Sequence, residues 1–387
     1  DHIIDMGPLA GIHGGEVIYN GSYQDIFKDK ESLTGKYLSG EIRIPVPRQR
    51  RKWMNTLELT GASAHNLKNI DVTFPLNIIT VVTGVSGSGK TTLVKKILYP
   101  ALQKLIGGFG EKAGLFKELT GDYKMISQVE MVDQHPLGKS SRSNPVTYIK
   151  AYDSIRDLFA EQRASKIKGY KAKHFSFNVE GGRCETCKGE GEIIVEMQFL
   201  ADVHLLCEEC NGKRFKEEVL EVNYKERSIA DVLQMSVDEA LEFFWEENDI
   251  VTRLQPLADV GLGYVKLGQS SSTLSGGEAQ RVKLASFLGK GNAAKPVLFI
   301  FDEPTTGLHF HDISKLLRSF EMLIENNHSV IIIEHNVEVI KCADYVIDLG
   351  PAAGNNGGNL VYQGTPEGLV AVKESWTGKF LSKHLSG

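Results

Sequence analysis

Apolar and polar residues alternate regularly over Leu57–Gly84, and this alternation predicts paired β-strands with a turn at Pro75–Asn77. Within the stretch, Ile78–Thr83 is a continuous run of β-branched residues, which is typical of a strand buried on both faces of a sheet. Lys90–Leu105 then shows helical spacing, so a strand and a helix follow one another closely.

The strand and helix pattern returns after Leu274, beyond a region of different character at residues 115–257 that is charged, rich in Gly and Lys, and carries most of the cysteines. The elements predicted after that region are a helix at Ser275–Leu288, a strand at Val297–Phe301, a helix near Asp312–Asn326, a strand at Ser329–Ile333 and a short helix to Ala343. Alternation on both sides of an unlike middle predicts one α/β domain interrupted by a large insertion. Residues 108–125 lack a clear period and are expected to form surface loops.

The two ends of the chain repeat each other. Residues 1–39 align without a gap to residues 344–382, and 19 of these 39 positions are identical. Repeats reveal how an architecture is built, so this one affects the whole prediction. The simplest interpretation is that Asp1–Gly40 is the last piece of an upstream module whose body lies outside this sequence.

Composition narrows the class of protein. The chain has 387 residues, 41% of them hydrophobic, with a net charge of −5, so any contact with nucleic acid must come from a local basic patch. No apolar run approaches the ~18–20 residues of a membrane helix, and we expect no membrane partner. Four of the five cysteines form two Cys-x-x-Cys pairs, which indicates a metal site in the reducing cytoplasm rather than a secreted disulfide framework.

The segment "GVSGSGKTT" follows the buried strand, opens a helix and fits the P-loop pattern. Its glycines let backbone N–H groups surround a phosphate, and the helix N-terminus favours the negative charge. Lys90 is expected to reach the β- and γ-phosphates, and the hydroxyl of Thr91 is expected to bind Mg²⁺. The predicted ATP/ADP-binding residues here are Gly84, Ser86, Gly87, Ser88, Gly89, Lys90, Thr91 and Thr92.

A second candidate feature is the strand "VLFIF", which ends in two carboxylates, Asp302 and Glu303. In a parallel sheet, ligands bind beyond the carboxyl ends of the strands. We therefore expect Asp302 to hold Mg²⁺ and Glu303 to polarise the attacking water.

The segment "TLSGGEAQRVKLASFLG" places Ser275, Gly276 and Gly277 at a helix N-terminus, which makes a second phosphate-binding device. One γ-phosphate rarely needs two such devices from the same surface. The prediction is that these residues serve the nucleotide of another module.

Cys184, Cys187, Cys207 and Cys210 form the pattern C-x₂-C-x₁₉-C-x₂-C, within the spacing range of structural zinc sites. Four thiolates make a closed tetrahedral set with no open position for chemistry. Zinc is expected to replace the apolar core that the charged insertion lacks.

Together, the P-loop, the serine-glycine signature and the Asp-Glu pair resemble the ABC-type ATPases, in which each ATP lies between the P-loop of one module and the signature of another. The resemblance implies that His335 in "IIIEHN" is a switch histidine that senses the γ-phosphate. It also implies that Gln134 in "VDQHPLG" is a glutamine near Mg²⁺.

An ABC-type ATPase whose signature half carries a Cys₄ insertion resembles the UvrA family, which senses DNA damage for the bacterial UvrABC excinuclease. The segments "FSFNVEGGRCETC", "LGQSSSTLSGGEAQRVKLA" and "DEPTTGLHFHDI" carry this likeness. It implies an ABC-type α/β domain with a helical and zinc-ribbon insertion, fused tandem modules, a homodimer and damaged double-stranded DNA as partner. The family's UvrB-docking domain belongs to the first module, and no segment here has room for it.

The resemblance and the patterns together predict the domain boundaries. These are residues 1–40 for the end of the upstream module, 41–55 for a linker, 56–114 for the first part of the ATP-binding core, 115–257 for the insertion with its zinc module at about 175–220, and 258–382 for the second part of the core.

Basic residues near the cysteines are the candidates for DNA contact, because phosphate neutralisation gives affinity without sequence preference. They are Lys166, Lys168, Lys171, Lys173, Arg183, Lys213 and Arg214. Two rival interpretations stay open at this stage: the ATPase subunit of an ABC transporter, for which no zinc insertion is expected, and a UvrA-like paralogue in drug resistance or self-protection.

Overall fold

The computed structural model describes residues 1–8, 11, 14–108, 110–135, 137, 143–195, 197, 202–289 and 295–385. The chain forms two compact units, the first from residues 1–134 and 290–387 and the second from residues 135–289. No helix in these described stretches is both long and apolar enough to cross a membrane.

The secondary structure alternates between strands and helices at both ends of the chain. The strands are β1 (His2–Gly7), β2 (Glu16–Ser22), β3 (Thr56–Ala62), β4 (Ile70–Pro75), β5 (Ile79–Gly84), β6 (Glu118–Gly121), β7 (Gln128–Val132), β8 (Glu192–Val195), β9 (Val203–Leu206), β10 (Asn223–Tyr224), β11 (Arg227–Ser228), β12 (Val297–Asp302), β13 (Ser329–Ile333), β14 (Tyr345–Gly350) and β15 (Asn359–Gly364). The α-helices are α1 (Leu33–Ser39), α2 (Tyr99–Ile106), α3 (Pro145–Tyr148), α4 (Ala151–Glu161), α5 (Arg163–Lys168), α6 (Glu217–Leu220), α7 (Ile229–Gln234), α8 (Val237–Phe243), α9 (Asn248–Asp259), α10 (Gly276–Leu288), α11 (Phe310–Glu325), α12 (Val337–Cys342), α13 (Pro366–Val370) and α14 (Trp376–Leu385). A π-helix at Thr92–Leu98 precedes α2, and short 3₁₀ turns lie at Ile26–Lys28, Tyr123–Met125, Ala172–Phe175, Ser271–Thr273 and Gly354–Asn356.

A six-stranded sheet in the order β15-β14-β5-β13-β12-β7 forms the centre of the first unit. The five strands from β14 to β7 are parallel, and β15 pairs antiparallel with β14. Every residue of β5 and of β13 is buried, as continuous β-branched runs predict. The predicted α/β class is therefore confirmed, and the carboxyl ends of β5, β12 and β13 lie at one edge of the sheet.

A smaller antiparallel sheet in the order β4-β3-β6 completes the first unit. Its apolar face shares one buried cluster with the π-helix and with the inner strands of the large sheet; the cluster includes Leu57, Phe74, Ile97, Ile300 and Ile331. This packing fixes the segment that follows β5 against the sheet.

Two details differ from the predicted elements. The helix expected at Lys90–Leu105 divides into the π-helix and α2, and the stretch expected to be loops contains β6. Glu118–Gly121 pairs with the edge of β3, because that edge offers backbone partners that the short polar segment could not find by itself.

The second unit is mostly helical, with two short hairpins, β8–β9 and β10–β11. Its apolar core includes Phe159, Phe175 and Phe177. The compact units divide at other residues than the predicted domains. This is because β6 and β7 pair with β3 and β12 of the first unit, whereas α10 packs on α9 and α3 of the second unit.

Both copies of the sequence repeat form the same hairpin and helix. In the first copy the hydroxyls of Ser32 and Thr34 donate to the two carboxylate oxygens of Asp5, over 2.6 and 2.8 Å. In the second copy the hydroxyls of Ser375 and Thr377 donate to Asp348 over 2.6 and 3.2 Å. Residues 9, 10, 12 and 13 of the repeat lie outside the described residues.

Candidate functional site

The P-loop begins where β5 ends, at a position that only glycine can fill. Gly84, Gly87 and Gly89 have φ values of 128°, 76° and 108°, in the region that side chains disfavour. A Cβ atom on Gly84 would lie 2.0 Å from the carbonyl oxygen of Leu349. The loop can therefore wrap around a bound group with its backbone N–H groups, as predicted for a phosphate.

Lys90 lies at the centre of this loop and is buried. Its ammonium donates to the carbonyl oxygens of Gly84 and Val85, both over 3.0 Å. Burial lowers the pKa of Lys90, and the nearby carboxylates act in the opposite direction. A buried cation that meets only neutral oxygens is suited to receive an anion.

The hydroxyl of Ser88 is buried, and no residue in the described part of the chain bonds to it. A buried polar atom without a partner is costly, so it points to a group that binds there. Together with Lys90, this orphaned hydroxyl shows that the loop fits a phosphate.

The two acids at the end of β12 meet residues from the neighbouring strands. Glu303 has a φ of 46°, and its carboxylate lies 3.0 Å from Nε2 of His335. The other ring nitrogen of His335 lies 3.2 Å from the carbonyl oxygen of Gly84. The side-chain amide of Gln134 donates to the backbone oxygen of Glu303 over 3.2 Å. Of the three residues predicted to act in catalysis, Glu303 therefore contacts both His335 and Gln134 beside the P-loop.

Asp302 is in an ion pair with Lys95, whose ammonium lies 2.8 Å from its carboxylate; both side chains are about one quarter exposed, at 26%. Lys95 belongs to the π-helix that follows the P-loop, and sequence reasoning missed it. A cation already stands at the carboxylate that is predicted to hold Mg²⁺ with Thr91. Lys95 and a metal ion would compete for this carboxylate, so Mg²⁺ binding by Asp302 stays a prediction.

Glu334 is a second residue that sequence reasoning missed, and it joins two loops of the site. Its buried carboxylate accepts from the N–H and the hydroxyl of Thr305, over 3.0 and 2.5 Å. It also accepts from the N–H groups of His335 and Asn336, over 2.7 and 3.0 Å. Glu334 thereby fixes the loop after β12 relative to the loop that carries His335.

The signature segment begins α10 in the second unit. Ser275 caps the helix, because its hydroxyl accepts from the N–H of Glu278 while the carboxylate of Glu278 accepts from the N–H of Ser275. The hydroxyl of Tyr264 donates to the same carboxylate over 2.5 Å. Burial acts to raise the pKa of Glu278, but the bonds from Tyr264 and Ser275 outweigh it and the pKa is lowered. The helix start is rigid, with the backbone of Gly276 and Gly277 at its first turn.

The four cysteines meet at one point of the second unit, and each is buried. Their Sγ atoms all lie within 4.8 Å of one another, with 3.9 Å between Cys184 and Cys207 and 3.6 Å between Cys187 and Cys210. Zn–S bonds of about 2.3 Å in a tetrahedron place sulfurs about 3.8 Å apart. The cluster therefore fits a tetrahedral metal ion, and its closed shape fits a structural role.

The basic residues predicted to contact DNA fall into two groups. Lys166, Lys171, Lys173 and Lys213 are exposed. Lys168 is exposed too but donates to Glu221. Arg183 is buried, and its guanidinium lies 3.5 Å from Glu180 and from Glu185. Arg214 is half-buried, with its guanidinium 5.6 Å from the ring centre of Phe177. The two arginines are engaged within the zinc module, so the free positive charge comes from the lysines.

The structure thus gathers the predicted nucleotide residues at one sheet edge of the first unit, while the signature residues belong to the second unit. A parallel sheet with a P-loop, an Asp-Glu pair and a histidine at one edge, joined in one chain to a signature helix, defines an ABC-type ATPase domain. The Cys₄ cluster is an addition to that class.

Comparison with known proteins shows what the chain resembles. The chain is 52% identical, over 386 residues and the whole of its length, to UvrABC system protein A of Clostridium perfringens, and it covers 41% of that protein. It is also 52% identical to UvrABC system protein A of Staphylococcus aureus strain COL, of which it covers 40%. The crystal structure of UvrA2 from Deinococcus radiodurans matches the whole chain with a TM-score of 0.92 and 44% identity, and the match covers 46% of that structure. No family model matches the chain.

Over its whole length the chain is similar to part of UvrA proteins, and the resemblance predicted from its motifs is confirmed. It spans about two fifths of the length of the curated relatives that it matches. The two rival interpretations, a transporter subunit and a resistance paralogue, receive no support from these comparisons.

Proposed function

We propose that the chain is the ATP-hydrolysing and DNA-binding part of a damage-recognition protein that works with the UvrABC excinuclease. The observation that carries the proposal is the contact of Glu303 with His335 beside Lys90, in a chain whose second unit combines the signature helix with a Cys₄ cluster. The names of its relatives supply the repair context.

The residues at the sheet edge divide the work on ATP. Lys90 and the loop N–H groups hold the phosphates, and Thr91 with Asp302 holds Mg²⁺, which would neutralise phosphate charge when bound. Glu303 accepts the proton of the attacking water. His335 orients the carboxylate of Glu303, and the side-chain amide of Gln134 holds its backbone oxygen. Glu334 keeps these two loops in place.

The signature residues Ser275, Gly276 and Gly277 serve the nucleotide of a second module, in a head-to-tail arrangement. Their membership of a different unit from the P-loop is compatible with this role. ATP binding then joins modules, and hydrolysis releases them, which couples nucleotide state to the grip on DNA. A homodimer and a tandem module are the partners that this scheme requires.

Zn²⁺ bound by the four cysteines has a structural role in the proposal. It holds the two knuckles from which β8 and β9 extend, and all eight residues of these two strands are exposed, so apolar burial contributes little there. Loss of the metal would therefore disorder this part of the second unit.

Damaged double-stranded DNA is the proposed substrate, and the exposed Lys166, Lys171, Lys173 and Lys213 are its proposed phosphate contacts. A protein that must find lesions in any sequence reads the deformability of the duplex rather than its base edges. UvrB is a partner of the complete protein, through a docking domain placed in the first module, and the site of action is the cytoplasm.

A lesion-binding experiment tests this function. On the intact dimer with Mg-ATP, we expect a longer-lived complex with a lesion-bearing duplex than with the undamaged duplex of the same sequence. Glu303→Gln should keep Mg-ATP binding but lower turnover by about 10²–10⁴-fold, because the proton acceptor is lost. Glu325→Gln, at an exposed position of α11, is the matched control. Equal lifetimes on both duplexes would refute the sensor role.

A further inference from the structure

The helix α1 of the first repeat copy covers the start of α11, the helix that follows the Asp-Glu pair. The ring of Tyr37 stacks on Phe310, with ring centres 5.5 Å apart and planes at 21°. The same ring meets His309 edge-on at 5.6 Å. The aromatic ring of Tyr37, in the first repeat copy, therefore packs over the start of α11.

A chain of hydrogen bonds reinforces the contact. The N–H of His311 donates to Nδ1 of His309 over 3.2 Å, so the neutral ring carries its proton on Nε2. Nε2 lies 3.3 Å from the hydroxyl of Thr34, which itself donates to Asp5. His309, which caps α11, thus donates to the hydroxyl of Thr34 and also contacts the ring of Tyr37.

In the second repeat copy the corresponding aromatic side chains stay exposed in the described part of the chain, although the ammonium of Lys379 lies 4.2 Å from the ring centre of Trp376. Phe380 occupies the position of Tyr37 and is 61% exposed, and Trp376 is 54% exposed. Thr377 donates to Asp348 as Thr34 donates to Asp5, and its oxygen, which lies 3.5 Å from the hydroxyl of Thr83, has two lone pairs with which to accept. Two exposed aromatic side chains one helical turn apart mark a contact surface.

We propose that Trp376, Thr377 and Phe380 form a docking face for the start of the corresponding helix in a second ATPase module. In this contact, Thr377 accepts from the histidine that caps that helix, and Phe380 packs on the residue that follows it. The proposal rests on the tandem-module part of the proposed function. When two like modules pair about a two-fold axis, any contact that the first module makes with the second is repeated by the second module with the first. The contact of α1 with α11 is one half of such a pair, and the face on α14 is the other half.

The partner of this docking face can be inferred from which helix start is already covered in this chain. In this chain the start of α11 is occupied by Tyr37, so a second copy of the chain offers no uncovered helix start of this kind. The docking face therefore requires a different module. In that module, the helix after the Asp-Glu pair must have a start that no other side chain covers.

Photo-cross-linking in the intact protein encoded by the gene tests this assignment. A benzophenone side chain is placed at position 380, with position 37 as the positive control and the exposed Val370 of α13 as the matched apolar control. Position 37 should cross-link to the peptide that contains His309 and Phe310. Position 380 should cross-link, at least 10-fold above position 370, to a peptide that follows a second Asp-Glu pair outside this sequence.

Several results would overturn the proposal. These are a cross-link from position 380 to residues 300–312 of a second copy, a cross-link to DNA alone, or none while position 37 reacts. Failure at position 37 would remove the premise, because the covering contact itself would be absent. The readout needs neither lesion binding nor ATP turnover, so its failure is distinguishable from a failure of the proposed function.

Discussion

The two repeat copies share most of their local contacts but differ in burial. Ile4 is 60% exposed, whereas the identical residue of the second copy, Ile347, is fully buried at 0%. Met6 is 57% exposed, and its counterpart Leu349 is 1% exposed. Two sequences that are identical at 19 of 39 positions therefore form the same hairpin in two very different environments.

Neighbouring strands account for the difference. β14 pairs with β15 on one side and with β5 on the other, so both of its edges are paired, and its Ile347 and Leu349 belong to the buried cluster of the first unit. In the described part of the chain, β1 pairs with β2 alone. The repeat thus encodes its hairpin and the bonds of Asp5 or Asp348 locally, while the contribution of its apolar residues to stability depends on what packs against them.

The largest effect should come from truncating the identical isoleucine in each copy. Ile347→Ala should lower the free energy of unfolding by about 2–5 kcal/mol, because it leaves a cavity in a packed core. Ile4→Ala should cost less than about 1 kcal/mol, because the side chain is already largely in water. Urea unfolding followed by circular dichroism compares the two variants, and equal losses would show that the copies share one environment.

A smaller difference of opposite sense is expected for the aromatic position on the helices. In this chain alone, Tyr37→Ala should cost about 1–2 kcal/mol, because the ring packs on two aromatic neighbours. Phe380→Ala should stay within about 0.5 kcal/mol, because its ring is exposed. Thermal unfolding of the two variants gives the comparison. A larger loss for Phe380→Ala would contradict the contacts seen here.

The smallest effect should be a change in how stability depends on pH. Burial raises the pKa of Asp348, against the opposing effects of its two hydroxyl partners and of Lys90. A raised pKa in the folded state favours the protonated acid, so this contribution is complete below the unfolded pKa of about 3.9 and is lost as pH rises through the folded value.

Asp348→Asn removes that titration, so the wild type should lose stability relative to this variant as pH rises from about 4 to about 7. Asp5→Asn is the matched control in the exposed copy. Unfolding curves across this range measure both slopes, and an unchanged slope for Asp348→Asn would mean that burial does not govern this carboxyl group.

Much of the site could be predicted from sequence because its signals are local. The run Ser329–Ile333 alone predicts β13 with its observed bounds, and the spacing from Gly84 to Lys90 predicts the loop. Glu334 carried no such signal, since its partner Thr305 is 29 residues away and meets it only in the folded sheet. Lys95 was missed for the same reason, because Asp302 is distant along the chain.

Burial of basic residues was equally hidden from sequence reasoning. Arg183 and Arg214 stand in the same charged stretch as exposed lysines, and only tertiary packing separates them. Arg183 is buried between Glu180 and Glu185, and Arg214 lies over the ring of Phe177. A pattern of charge predicts a basic surface, but it does not reveal which of the basic side chains are buried.

The central claim is that one chain supplies two half-sites for ATP and needs another module to complete either of them. The most direct test measures ATP turnover per chain as a function of protein concentration, with molar mass followed by light scattering. We predict that the monomer binds Mg-ATP but turns it over poorly, and that turnover per chain rises as modules associate. A strictly monomeric sample that hydrolyses ATP rapidly, at the same rate per chain at every concentration, would contradict the claim.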